Sequence, residues 1–437
     1  MSLPLPELHE ERLENGATVA VARRPGVPLA AARLYVRTGS ALDPRGKRGL
    51  AHLVAAVARR GAGRRGAESI DALVESLGAD LGGDAEEDAS VYGLSAPAES
   101  LSKLLGVLVD VVAAPTFPTG EFERLRRREL ASLARDSDEP AVLADRAMLA
   151  EAYGDHPYGH AVEGCLRDVA RVRLADVRAF HGRWYGPANA TLVVVGALSP
   201  RDVIADARRT LGRWKAKADV AGEVPEVGPV ERRVVVVDKP DATQVQIRIA
   251  GPALRRASPD YFPAVVANAV LGGGFTSRLV ETIRVNRGLS YGVRTRFAMS
   301  RAGGLFTFSS FTKNETAGEL VDVAFAEMAR FADGGPSPEE VTRATGYLAG
   351  LFPLSLETHD QWADRLCDAR ICGYGLDEVR DYRERVRAVS PDAVRELARR
   401  HLPLRGGVVL AVGPAKSVAP QLERFGPLRI LPARRVL

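Results

Sequence analysis

The sequence predicts an α+β fold built from two homologous halves, each a largely antiparallel sheet with helices packed on one face. Three observations lead to this prediction: an internal repeat, a linker-like segment between its two copies, and strand pairs that precede the helices. Strands and helices do not alternate strictly, as they would in a doubly wound parallel sheet. The 437 residues suit two domains of ordinary size.

The repeat consists of two pairs of similar stretches, separated by almost the same distance along the chain. Residues 17–40 and 232–254 each contain two alternating strands joined by a proline-containing turn. Residues 174–200 contain a helix, a break and an apolar strand that ends in glycine, and residues 391–416 repeat that layout. A near-constant offset over most of the chain indicates a duplication.

The two copies are divided by a segment in which proline, glycine and charge interrupt the periodicity. This segment covers residues 215–233 and has the composition of a linker. We therefore predict an N-terminal half at residues 1–214 and a C-terminal half at residues 234–437.

The N-terminal half contains strong helical patterns after its first strand pair. Apolar residues recur at helical spacing in residues 49–61, 67–79 and 98–113, and a longer charged helix covers residues 121–136. Residues 89–97 alternate as a strand does. Strands and helices thus occur in the order expected of an α+β half.

Composition and charge exclude several classes of partner. The chain has 60 basic and 55 acidic residues, and a net charge of +5 over this length is too weak for a nucleic-acid-binding surface. No apolar run approaches the roughly 18 residues of a membrane span, and no signal peptide is visible.

The spacing of the three cysteines suits no zinc site and favours a reducing compartment. We expect the cytoplasm, with the periplasm as the alternative for a chain that has lost a signal peptide.

The helix at residues 49–61 holds one histidine, His52, in otherwise apolar surroundings. In an H-x-x-E-H helix, residues i and i+4 share a face, so two imidazoles can bind one zinc ion while the glutamate acts on its water. Here Ala55 and Ala56 stand at the glutamate and second histidine positions. One imidazole cannot hold a catalytic zinc, which takes about three protein ligands. We expect a degenerate site that binds no metal.

Four stretches resemble the pitrilysin/insulinase family of zinc metallopeptidases, the inverzincins. They are "GLAH" at 49–52, "HPYG" at 156–159, and residues 167–196 and 271–293. The resemblance covers most of the chain, and the duplicated architecture matches the paired domains of that family.

The family takes its third zinc ligand from a glutamate on a later helix, which the resemblance locates in residues 122–140. The best register puts Ala131 or Ser132 at that position, and the nearest carboxylate, Glu129, stays unassigned. His156 and His160 are four residues apart, but the proline and glycine between them disfavour the helix that would align them. A structural role is the better interpretation of both.

A glycine-rich loop precedes the second set of candidate residues. The loop, for which we expect peptide substrate binding, consists of Gly272, Gly273, Gly274 and Phe275. Glycines permit backbone conformations closed to other residues and let another chain approach closely. A phosphate-binding loop is disfavoured because the G-K-[ST] ending is missing.

Arg284 and Tyr291 follow this loop and are seven residues apart. The resemblance implies that they reach across to the zinc site of the other half or of a partner. There the guanidinium would orient the substrate backbone, and the phenol would donate to the developing oxyanion. The alternative is a surface charge at Arg284 and an ordinary sheet residue at Tyr291.

Together these features imply a division of labour between two chains. We expect a non-metal-binding subunit of a two-chain zinc metalloendopeptidase, inactive alone, that supplies Arg284 and Tyr291 to a homologous partner. The partner would carry H-x-x-E-H and the zinc ion. Two alternatives remain: a catalytically inactive structural or assembly protein, like the core subunits of respiratory complexes, and a peptide-binding homodimer without catalysis.

Overall fold

The computed structural model describes residues 4–436. The strands of the N-terminal part are β1 Glu7–Arg12, β2 Thr18–Arg23, β3 Leu29–Val36, β4 Gly61–Ala62, β5 Arg65–Gly66, β6 Asp80–Ala85, β7 Ser90–Pro97 and β8 Ala190–Gly196. Its helices are α1 Leu50–Ala58, α2 Ala67–Ser76, α3 Leu101–Ala113, α4 Thr119–Asp136, α5 Pro140–Tyr153, α6 Leu166–Val169, α7 Leu174–Trp184 and α8 Pro200–Arg209.

The C-terminal part repeats this succession of elements. Its strands are β9 Arg233–Asp238, β10 Gln244–Ala253, β11 Val293–Met299, β12 Gly304–Lys313, β13 Val408–Gly413 and β14 Leu428–Pro432. Its helices are α9 Tyr261–Leu271, α10 Ala317–Gly334, α11 Pro338–Leu351, α12 His359–Cys372, α13 Leu376–Arg380, α14 Tyr382–Arg387, α15 Pro391–His401 and α16 Ala415–Leu422, and a π-helix covers Val280–Asn286. No helix within residues 4–436 is long and apolar enough to cross a membrane.

The two large sheets have the same core topology, which confirms the predicted fold class. The N-terminal sheet has the order β1-β2-β8-β3-β7-β6, and the C-terminal sheet has the order β14-β9-β13-β10-β12-β11. The pairs β2/β8 and β9/β13 are parallel, and the next three pairs in each sheet are antiparallel. The sixth strand differs, since β1 is antiparallel to its neighbour and β14 is parallel.

Strands β8 and β13 are almost entirely apolar because both faces of each sheet are buried there. In β8, Leu192 and Val194 face the core of the N-terminal half, while Val193 and Val195 belong to a cluster shared with α12. Strand β13 has the same alternation, with all of its residues buried. A continuous apolar run of this length is typical of a strand that is covered on both sides.

The second face of each sheet is covered by a helix from the opposite half, so the prediction of helices on one face describes only half of the packing. Helix α5 lies across β10 and β13, and α12 lies across β3 and β8. Each crossing helix pairs with an arginine of the strand that it covers. Arg248 Nε on β10 donates to Asp145 on α5 at 2.6 Å, and Arg33 Nε on β3 donates to Asp364 on α12 at 2.6 Å. The sequence pattern does not predict that the halves exchange these helices, because an apolar helix face does not specify which sheet it covers.

In the described chain, residues 214–232 contain neither a helix nor a strand, and most of them are exposed. The segment still contacts the N-terminal half, since Asn189 Nδ2 donates to the carbonyl of Asp219 at 2.7 Å. The boundaries of the two halves at 215–233 stay a prediction.

Candidate functional site

A cavity of about 850 Å³ in the C-terminal half collects the residues that the sequence singled out there. Its walls come from the end of α9, the glycine loop, the π-helix, the start of β11 and helix α11. The predicted residues in its lining are Gly272, Gly273, Gly274, Phe275, Arg284 and Tyr291. Residues that are distant in the sequence therefore meet in one place, although this proximity does not yet assign them a role.

Arg284 and Tyr291 lie against each other at the mouth of this cavity. The guanidinium carbon of Arg284 is 4.1 Å from the centre of the Tyr291 ring and 6.0 Å from that of Phe275. Tyr291 is 76% exposed and Phe275 is 85% exposed. Within residues 4–436, neither the guanidinium nor the phenol hydroxyl has a hydrogen-bonding or ion-pairing side chain. Both groups are thus available as donors.

Arg284 belongs to the π-helix, which the sequence analysis did not foresee. A π-helical turn is rare and frequently lies at a functional site. The π-helix ends with a hydrogen bond from Leu289 N to the carbonyl of Ile283 at 3.0 Å, and Gly288 in this turn has a positive φ of 62°. No spacing of apolar residues distinguishes such a turn from an ordinary helical one.

Backbone conformation does not explain the three glycines of the loop, and their role in substrate binding stays a prediction. None of the three has a positive φ, so no unusual backbone conformation requires them. A Cβ at Gly272 would lie 2.6 Å from Thr295 Oγ1, and one at Gly273 would lie 2.7 Å from Asn268 Nδ2. Only Gly274 has nothing within 4 Å. Packing within the chain therefore requires two of the glycines, and only the third leaves room for another molecule.

Besides Thr276, four further polar or aromatic residues line the cavity and were not predicted to belong to the site. Arg294 comes from β11, while Glu340, Arg343 and Tyr347 come from α11. Glu340 accepts hydrogen bonds from Arg278 Nε at 2.7 Å and Nη2 at 2.6 Å. Only the i,i+4 spacing of Arg343 and Tyr347 hints at a common face, and nothing in the sequence links that face to the glycine loop.

His52 lies at a separate place in the N-terminal half, on helix α1. Asp43 fixes the start of that helix by accepting hydrogen bonds from two backbone N–H groups at 2.7 and 2.8 Å. The His52 side chain is 18% exposed, with Nδ1 at 2.9 Å from Asp84 Oδ1 and Nε2 at 3.4 Å from Glu129 Oε2. The ring thus bridges two carboxylates from β6 and α4.

These contacts hold His52 as a cation. Burial alone would lower its pKa, but the hydrogen bonds to Asp84 and Glu129 outweigh burial and raise the pKa to about 10. Both ring nitrogens of His52 are thus engaged by carboxylates. Ala55 is buried, and Ala56 lines a pocket of about 230 Å³ without offering a ligand atom. The side chains present here do not fit a zinc ion.

Possible metal ligands elsewhere in the chain are not grouped either. Within the described residues, no group of three or more histidine, cysteine, aspartate or glutamate side chains is arranged to hold a metal ion. The carboxylate that α4 brings to His52 belongs to Glu129, since neither the exposed Ala131 nor Ser132 carries one. The Ala131 or Ser132 register for the third ligand stays a prediction.

The two loop histidines hydrogen-bond to the backbone. His156 Nε2 lies 2.8 Å from the carbonyl oxygen of Pro225, and His160 Nδ1 lies 2.9 Å from that of Ala161. Tyr158, between them, donates to both carboxylate oxygens of Asp88 at 2.7 Å. The loop therefore connects segments of the chain, in agreement with the structural interpretation.

Proteins of similar sequence carry zinc protease names or are called non-peptidases. An uncharacterized zinc protease of Streptomyces coelicolor is 23% identical over 93% of this chain and 89% of its own length. The non-peptidase homolog YmxG of Helicobacter pylori is 25% identical over 80% of this chain and 81% of its own length. Relatives named zinc protease and a relative named non-peptidase therefore resemble the chain at similar identity.

Solved structures match the whole architecture. A peptidase M16 inactive domain from Pseudomonas fluorescens is 26% identical, with a TM-score of 0.88 over 93% of this chain and 98% of that one. A protease from Helicobacter pylori is 19% identical, with a TM-score of 0.87 over 94% of this chain and 100% of that one, and it supports the fold alone.

Two family models match consecutive parts of the sequence. The model described as insulinase (peptidase family M16) matches residues 18–165, and the peptidase M16 inactive domain matches residues 171–346. The first match contains His52 and its helix, and the second contains the glycine loop, Arg284 and Tyr291. With the duplicated fold and the degenerate zinc helix, these matches establish that the chain belongs to the insulinase, or M16, family of peptidases as a member without the H-x-x-E-H motif.

Proposed function

We propose that this chain is the metal-free subunit of a two-chain zinc metalloendopeptidase, and that it supplies Arg284 and Tyr291 to the zinc site of a homologous partner. One observation carries the proposal. Tyr291 is exposed and Arg284 is half-buried where both line an 850 Å³ cavity with their donors free, in a chain whose own zinc helix has one histidine and two alanines. A donor pair without a metal suits a site that another chain completes.

The chemistry of the pair fits peptide hydrolysis at a neighbouring metal. Zinc, when bound by the partner, would supply Lewis acidity and an activated water. In this chain, the Tyr291 O–H donates to the oxyanion that develops on the scissile carbonyl. The Arg284 guanidinium holds a carbonyl of the substrate backbone, and its contact with the Tyr291 ring fixes its direction.

Two of the relatives have names that support a chain without activity of its own, although others are named zinc proteases. A solved relative is called an inactive domain, and a relative from Helicobacter pylori is called a non-peptidase. A structural or assembly role and a peptide-binding homodimer are the competing functions. Both would leave peptide hydrolysis unchanged when Arg284 and Tyr291 are altered.

The test is reconstitution with a chain of similar length from the same genome that carries H-x-x-E-H. We expect the mixture to cleave a quenched fluorescent peptide library in a zinc-dependent manner, while each chain alone is inactive. Tyr291→Phe and Arg284→Ala should each lower kcat/KM about 100-fold or more, as loss of an oxyanion donor does. The matched control is Arg287→Ala, because Arg287 follows the same π-helix but pairs with Glu319 at 3.3 Å.

Two results would overturn the proposal. One is zinc-dependent proteolysis by this chain alone that His52→Ala abolishes. The other is a reconstituted rate that neither Tyr291→Phe nor Arg284→Ala changes, which would return both residues to a structural role.

A further inference from the structure

We propose that the cavity beside Arg284 and Tyr291 selects acidic peptides, namely extended segments in which an aspartate or glutamate neighbours an apolar residue. The inference rests on the proposed function, because it names the substrate class of the same site. It assigns Arg294 and Arg343 as residues that determine this specificity.

The charges that line the cavity are unbalanced. Its charged lining residues are Arg284, Arg294, Arg343 and Glu340. Within residues 4–436, none of the three arginines has a carboxylate within ion-pairing distance. The cavity therefore presents three unpaired cations, although the chain as a whole carries a net charge of only +5.

The single carboxylate in the lining is already occupied. Both oxygens of Glu340 accept hydrogen bonds from Arg278, at 2.7 and 2.6 Å, and Oε2 also accepts from the backbone N–H of Ser337 at 2.7 Å. The Arg278 hydrogen bond lowers the pKa of Glu340, so the group stays ionised and paired. The charge of Arg343 also contributes to this lowering, but Glu340 forms its ion pair with Arg278, so a basic peptide would find no free carboxylate here.

The three arginines come from three walls. Arg284 is on the π-helix, Arg294 on the edge strand β11, and Arg343 on α11. Arg284 is already stacked on Tyr291, which leaves Arg294 and Arg343 as the two unengaged guanidiniums. A guanidinium presents a planar fork of N–H donors that matches a carboxylate. Side-chain carboxylates of a bound peptide are the groups that this arrangement would pair.

The remaining walls select for an apolar neighbour. Phe275 is 85% exposed and Tyr347 is 63% exposed, and both line the same cavity as Tyr291. A cluster of exposed aromatic side chains typically marks an interaction surface. An acidic residue flanked by an apolar one would place a carboxylate on the arginines and a hydrophobic side chain on the rings.

A peptide explains these features better than a nucleic acid does. Nucleic-acid surfaces use an extended basic stripe and a strongly positive domain. Here the unpaired arginines converge on one cavity, and the glycine loop and the Arg284–Tyr291 pair in the same cavity suit a peptide backbone.

The experiment measures binding by the intact chain alone, by calorimetry at low salt. The probes are three synthetic nonapeptides of alternating Leu and Phe with Asp and Glu, with Asn and Gln, or with Lys, and a decathymidylate serves as a nucleic-acid competitor. We expect the acidic peptide to bind about tenfold more tightly than its amide counterpart, since each exposed pair contributes a small factor. The lysine peptide should bind most weakly, and decathymidylate should not compete.

Variants locate the preference. Arg294→Gln with Arg343→Gln should remove most of the tenfold preference, because binding of the acidic peptide weakens far more than binding of the amide peptide. The matched control is Arg296→Gln, because Arg296 is the next exposed arginine on β11 but does not line the cavity. Equal thermal unfolding of the three proteins would show that folding is intact.

The inference is overturned if the acidic and amide peptides bind equally, if neither binds, if decathymidylate displaces the acidic peptide, or if Arg296→Gln removes the preference as fully as the double variant. These results are separate from the fate of the proposed function. A reconstituted protease that depends on Tyr291 but prefers no acidic peptide refutes only the specificity, whereas an acidic preference without any reconstituted activity refutes only the two-chain enzyme.

Discussion

The guanidinium carbon of Arg284 lies 4.1 Å from the centre of the Tyr291 ring, so the two side chains form one unit that spans the end of the π-helix and the start of β11. At an exposed site such a contact contributes about 0.5–1 kcal/mol. That is enough to bias the direction of Arg284, while the Tyr291 hydroxyl stays free. The ring and the hydroxyl of Tyr291 therefore have separate roles, and substitution can separate them.

Two substitutions at Tyr291 should give different kinetics in the reconstituted protease. Tyr291→Phe keeps the ring and the position of Arg284, so we expect a lower kcat with little change in KM. Tyr291→Ala also releases Arg284, so KM should rise as well. Steady-state kinetics on one peptide measures both effects. Identical kcat and KM in the two variants would mean that the ring does not position Arg284.

The glycine loop should tolerate a side chain at only one of two neighbouring positions. Gly272→Ala would force its Cβ to within 2.6 Å of Thr295, and we expect a loss of about 1–3 kcal/mol in the free energy of unfolding. Gly274→Ala has open space and no positive φ, so it should change stability by less than about 0.5 kcal/mol. Urea unfolding of both variants measures the difference. Equal stabilities would contradict the packing argument.

The ion pairs of His52 should make part of the stability depend on pH. Its folded pKa of about 10 lies above the ordinary value of about 6.5, so its contribution is complete below pH ~6.5 and is lost as pH rises through ~10. Burial raises the pKa of Asp84, but the hydrogen bond to His52 helps to bring it below its ordinary value. The contribution of Asp84 to stability is therefore present above pH ~4 and is lost in more acidic solution. Stabilisation by the cluster is therefore greatest between about pH 4 and 6.5.

His52→Gln removes the imidazolium and keeps a side chain of similar size between the two carboxylates. We expect it to lower the free energy of unfolding by about 1–3 kcal/mol at pH 5.5 and by much less near pH 10, a range that allows for the 72% exposure of Asp84. His9→Gln is the matched control, because His9 pairs with Glu7 at 3.1 Å on the surface. A loss that grows between pH 5.5 and pH 10 would contradict the assignment of His52 as a cation.

The sequence could predict those features that depend on local spacing. His52 with Ala55 and Ala56 indicated a degenerate helix, and the family resemblance implied the pair Arg284 and Tyr291, because each motif lies within a few residues. The bridge from His52 to Asp84 and Glu129 could not be predicted, since 32 and 77 residues separate these partners. For the same reason, Arg294 and Arg343 joined the cavity only when β11 and α11 had been placed in space.

The sequence also could not predict that α5 and α12 each cover the sheet of the other half. This exchange affects how the chain unfolds. Leu143 on α5 is buried against the C-terminal sheet, and Leu366 on α12 is buried in the cluster that includes the N-terminal sheet. Each sheet thus loses the cover of one face when the other half unfolds. We expect one cooperative unfolding transition for the whole chain, because neither half can bury its own sheet.

Leu143→Ala and Leu366→Ala test this coupling from the two sides. Each should lower the free energy of the single transition by about 2–4 kcal/mol, the usual cost of truncating a buried leucine. Leu354→Ala, at an exposed position of the C-terminal half, is the control and should have little effect. Calorimetry should find one peak that moves as a whole in both buried variants. Two peaks, of which Leu143→Ala moves only one, would mean that the halves fold independently despite the exchanged helices.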